Sequence, residues 1–62
     1  MTTEMLLKQF KEILEMERRA KYFYDHYIEQ VETEDIKEQL IEIRDDEIEH
    51  IKIAEELIEC LK

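Results

Sequence analysis

Sixty-two residues carry nine Lys and Arg against eighteen Asp and Glu, for a formal charge of −9, and contain neither Gly nor Pro. Nine scattered basic residues cannot assemble the positive face that nucleic-acid phosphates need, and no apolar run approaches a membrane span, which excludes both as expected partners. A chain this short buries too little surface to be comfortably stable alone, so self-association is expected, and a breaker-free composition rich in Glu, Lys, Ile and Leu points to an all-α fold.

The N-terminus lacks the basic-then-apolar order of a secretory signal, so a cytoplasmic protein is expected. Thr2 or Thr3 can cap a helix whose first turn carries Glu4. Apolar positions then repeat in alternating steps of four and three: Leu6, Phe10, Ile13, Ala20, Tyr24, Tyr27 and Val31, with Glu17 standing where the series calls for an apolar residue. This predicts a first helix over about residues 3–31. The polar stretch Glu32-Thr33-Glu34-Asp35 offers Thr33 or Asp35 as a new cap and puts acids where a helix N-terminus favours them, so a turn is expected at about 32–34.

A second helix over about residues 35–61 repeats the pattern through Ile36, Leu40, Ile43, Ala54, Leu57 and Leu61, interrupted by Glu47 and His50. Cys60, the only cysteine, excludes an internal disulfide and a paired-cysteine metal site, and reads as a small apolar filler. The short break predicts one antiparallel helical hairpin spanning residues 1–62.

Reversal near residues 32 to 35 sets Val31 against Ile36, Tyr27 against Leu40, Tyr24 against Ile43, Ala20 against Glu47, Glu17 against His50, and so on to the termini. Three polar residues thus fall in the two central layers. Leu7, Leu14 and Ile28 flank the first stripe and Ile48, Ile51, Ile53 and Ile58 the second, more than one partner helix can cover, so at least two hairpins should associate. Ile41 and Ile48 lie away from His50 on a helical wheel and hint at an assembly larger than a dimer. Tyr22, Phe23 and Tyr27 read as core or interface, and His26 as surface.

A carboxylate removed from water costs several kcal/mol unless compensated, and no Lys or Arg shares either stripe, so a metal ion is the natural partner for Glu17, Glu47 and His50. Residues three apart share a helix face, so Glu47-Ile48-Glu49-His50 can offer a carboxylate and an imidazole to one ion. Di-metal carboxylate bundles use a Glu from each of two helices and Glu-x-x-His from each of the other two, and one hairpin supplies half of that set. Two hairpins about a twofold axis near the central layers would complete it, with four carboxylates balancing two divalent ions. Asp46, one turn before His50, and Asp45 are candidates to orient the imidazole.

Here the chain resembles a known family. Glu17-Arg18-Arg19-Ala20-Lys21-Tyr22-Phe23-Tyr24 is similar to the first-helix pattern of rubrerythrins and other ferritin-like proteins, and Arg44-Asp45-Asp46-Glu47-Ile48-Glu49-His50 to their Glu-x-x-His helix. Because the chain spans half of the usual four-helix bundle, the half-length encapsulated ferritins are the nearest likeness. The resemblance implies a hairpin that dimerises into a ferritin-like four-helix bundle, with two iron ions per dimer held by Glu17, Glu47 and His50, Glu17 bridging and Tyr24 close behind the metals. Manganese suits the same ligands.

It further implies a ferroxidase, oxidising Fe(II) with dioxygen or peroxide at a site formed between subunits, in iron storage or detoxification. A protein-shell compartment and an external electron donor are the partners that go with such an activity. The chain departs from the encapsulated ferritins in carrying Met16 and Arg19 beside the ligand Glu, and no targeting tail is expected after Lys62. The alternative is a non-enzymatic structural or adaptor hairpin whose ions only stabilise a dimer interface.

Overall fold

The computed structural model describes residues 2–62 as two α-helices, α1 (Thr3–Gln30) and α2 (Glu34–Leu61), packed side by side. Each holds 28 residues, about 42 Å at 1.5 Å per residue, which accounts for an overall shape of 47 × 15 × 14 Å. None of the described helices is long and apolar enough to cross a membrane.

Thr2 caps α1: its hydroxyl oxygen accepts the Met5 backbone N–H at 3.2 Å, and its carbonyl accepts that of Leu6 at 3.1 Å. One orphan donor of the first turn is thereby satisfied by a side chain. α1 ends at Gln30, because Val31 turns to an extended backbone (φ −76°, ψ 131°) while its N–H still donates to the Tyr27 carbonyl. Thr33 takes the cap position of α2 with no side-chain hydrogen bond, and Glu34 and Asp35 place negative charge at the positive end of the helix dipole. Three residues therefore make the connection, short enough to force antiparallel neighbours.

The best-buried side chains are Leu14, Ala54 and Ile58, between 5% and 8% exposed, with Leu7, Phe10 and Ile51 packed around them. This centre is rotated from the stripe that periodicity singles out. Leu7, Leu14, Ile51 and Ile58, expected on the flank, form the contact between the helices, whereas Ile13, Tyr27, Ile36, Ile43 and Leu57 on the expected stripe are 40–50% exposed. The apolar arc of each helix is broader than one neighbour can cover: one edge meets the partner helix, and an edge with Ile13, Ile43 and Leu57 stays open.

Two ion pairs cross between the helices. Arg44 Nη1 donates to Asp25 Oδ1 at 2.8 Å, while Lys21 Nζ occupies Asp25 Oδ2 at 2.7 Å and Arg44 Nε reaches Asp45 Oδ1 at 2.9 Å. Nearer the termini Arg18 lies 3.5 Å from Glu15 and 3.7 Å from Glu55. The Lys21 ammonium and the Arg44 guanidinium hold the Asp25 carboxyl below the usual carboxylate range, and Asp25, with Asp45, pushes Arg44 up.

A folded-state value lowered below the unfolded one, near 3.9, means that ionised Asp25 adds stability above about pH 4, which is lost as pH falls through the folded value. Asp25→Asn should therefore melt at a lower temperature than the unmodified chain at neutral pH. The gap should close as the pH is taken below about 4, as followed by helical circular dichroism. A gap that stays constant down to acid pH would deny the pair its charge-dependent role.

Candidate metal centre

Glu17 and Glu47 stand at the midpoints of their helices, as far from the frayed ends as the hairpin allows. Glu17 comes from α1; Glu47 and His50, one turn apart, come from α2. One ligand atom of each lies within 4.8 Å of those of the other two. Ions that bond at about 2.1 Å span ligand atoms up to about 4.2 Å apart, so closing the trio on one ion asks only a small side-chain adjustment.

The two carboxylates differ from ordinary surface acids. Both residues are half-buried, and Oε2 of each is buried with no hydrogen-bond partner among the described residues. Such an atom costs about 1–3 kcal/mol when left unsatisfied. Among the described residues no Lys or Arg lies within ion-pair distance of either one, since Lys21 and Arg44 are committed to Asp25 and Arg18 to Glu15 and Glu55. The donor set of two carboxylates and an imidazole suits a first-row divalent ion such as iron or manganese.

His50 is exposed, whereas the sequence register set it in a central layer away from water; it stands on the open face rather than in the contact between the helices. Beside it runs a cleft of about 160 Å³, floored by Ala54 and walled by Phe10, Ile13, Ile53 and Leu57, with Glu17 and His50 closing one end. Glu17 and His50 therefore stand at the head of an apolar cleft, with Glu47 beside them but outside its lining.

Tyr24 is half-buried one heptad beyond Glu17 on α1, outside both the trio and the cleft. Neither acid expected to orient His50 does so: Asp45 accepts from Arg44, and Asp46 is exposed with no hydrogen bond to the imidazole among the described residues. Sequence pattern alone missed the Asp25–Arg44 bridge. Nineteen residues separate the pair, and only the rotation of each helix about its own axis shows that they meet. The one signal available was two opposite charges near the same level of the hairpin.

Comparison with protein-family models, with curated proteins and with solved structures finds no match to this chain.

Proposed function

We propose that two copies of this hairpin associate through their open apolar faces into a four-helix bundle, in which the paired trios hold two iron ions and act as a ferroxidase of the ferritin-like type. The observation that carries this reading is the pair of buried, unpartnered carboxylate oxygens of Glu17 and Glu47 with His50 beside them. Buried acids without cationic side chains are retained at a cost in stability, and a divalent ion is the partner that repays it. One hairpin offers three ligands; two offer four carboxylates and two imidazoles, the donor set of di-metal carboxylate bundles.

In such a centre Glu17, Glu47 and His50 of each chain would hold the ions. Metal bound there supplies one-electron chemistry toward dioxygen or peroxide, with Fe(II) as the substrate oxidised. The chain's own residues do the rest. Glu17 and Glu47 would offer anionic oxygen ligands and His50 a neutral nitrogen one, with the apolar residues beside them lining the approach.

Aerobic addition of Fe(II) to the metal-free protein tests the proposal. Growth of Fe(III) absorbance far faster than in buffer alone is the expected result. Dimerisation on adding Mn(II) or Fe(II) with no acceleration of iron oxidation would instead assign the hairpin a structural or adaptor role.

A further inference from the structure

Two cations stand one helical turn from the trio, and neither pairs with it. Of the positions three or four residues from Glu17 or Glu47 along their own helices, 21 and 44 alone carry Lys or Arg. Residues at those spacings are neighbours on a helix surface, so Lys21 is within reach of Glu17, and Arg44 of Glu47. Both turn instead to Asp25. Lys21 Nζ donates to its Oδ2 at 2.7 Å and Arg44 Nη1 to its Oδ1 at 2.8 Å, so each oxygen of this one carboxylate holds one cation. Oε2 of Glu17 and Oε2 of Glu47, meanwhile, are buried with no hydrogen-bond partner among the described residues.

Helix electrostatics alone favours a different pairing. A Glu four residues before a Lys is the better order for an ion pair on a helix, and Glu17 with Lys21 has that order. Lys21 with Asp25 has the reverse, weaker order. The weaker order prevails because Arg44, reaching across from α2, anchors the Asp25 carboxylate between the helices and leaves its second oxygen to the ammonium.

We infer, on the metal-binding reading above, that Asp25 is a positioning residue for the metal centre: by gathering Lys21 and Arg44 it keeps both cations off Glu17 and Glu47 and leaves those carboxylates open to a divalent ion. With Asp25 neutralised, Lys21 is left with Glu17 at the better spacing, and Arg44, still shared with Asp45, is free to turn to Glu47. An incoming ion must then displace a cation from a carboxylate partly withdrawn from water. A site that is free only about a tenth of the time binds about 10-fold more weakly. Each new pair lies within one helix, so the bridge between α1 and α2 is not restored.

A double-mutant cycle read as Mn(II) affinity, by isothermal titration of the full chain with helicity checked in every variant, tests the role of Asp25. Asp25→Asn should bind Mn(II) about 10-fold more weakly than the unmodified chain. Lys21→Gln should change the affinity by less than about twofold in the unmodified chain, where Asp25 already holds the ammonium away. In the Asp25→Asn background the same Lys21→Gln change should recover most of the loss.

Equal gains from Lys21→Gln in both backgrounds would mean that these charges act on the ion only through space, and would overturn the proposal. So would unchanged affinity in Asp25→Asn. If Asp25→Asn loses its helices, Lys21→Gln in the otherwise unmodified chain decides: a gain beyond about twofold overturns the proposal and a smaller change supports it. All of these outcomes leave the metal-binding reading standing. An unmodified chain that takes up no Mn(II) overturns that reading and the role of Asp25 with it.

Discussion

Glu47→Ala and His50→Ala should each weaken metal binding by about 100-fold or more while leaving the helices formed. Loss of an outer partner of a metal ligand already costs about 10–100-fold, and a ligand itself should cost more. Both residues project from the same turn of α2, and their ligand atoms lie within 4.8 Å of that of Glu17, so neither has a substitute among the described groups of the trio. Neighbouring acids such as Asp46 and Glu49 are exposed and cannot turn inward without breaking the helix. Isothermal titration with Mn(II), read beside helical circular dichroism, checks the expectation. Unchanged affinity in both variants would remove the trio as the binding site.

The opposite sign is expected for stability. Glu17→Leu combined with Glu47→Leu should raise the stability of the metal-free protein by about 2 kcal/mol or more, because each unpartnered buried oxygen costs about 1–3 kcal/mol. Two carboxylates in one cluster also repel each other, and either single substitution already relieves that repulsion, so the paired substitution should fall short of the sum of the single ones. With only three buried side chains among the described residues, that gain is a large share of the total. The variant should also become indifferent to added metal. Urea unfolding with and without Mn(II) measures both effects, and a destabilised double variant would mean that the carboxylates are held by the fold itself rather than by a ligand.

Much of this was legible in the residue pattern. The absence of Gly and Pro, the alternating three- and four-residue steps, and the polar break after Val31 are strong local signals, and they specify two helices and a short turn. Glu17, Glu47 and His50 stood out because each breaks an apolar series in one of two adjacent central layers, and the structure brings the three together.

What the pattern left open was rotation. An apolar arc spanning Leu14 at one edge and Ile13 at the other does not say which edge meets the neighbouring helix. The choice falls to packing: Leu14, Ala54 and Ile58 interlock, which turns Ile13 and Leu57 outward. The end of α1 at Gln30 rather than Val31 has a similar cause, since the chain must leave helical geometry one residue early for a three-residue connection to reach α2. Asp25 and Arg44 were invisible for the same reason as the rotation itself.

Native mass spectrometry of the protein loaded with Fe(II) without oxygen, or with Mn(II), tests the central claim most directly, because it reads chain number and metal content in one spectrum. A species of two chains, or a multiple of two, holding one ion per chain and lost in Glu47→Ala, is the result expected. A single chain that takes up no ion in the presence of excess metal would contradict it.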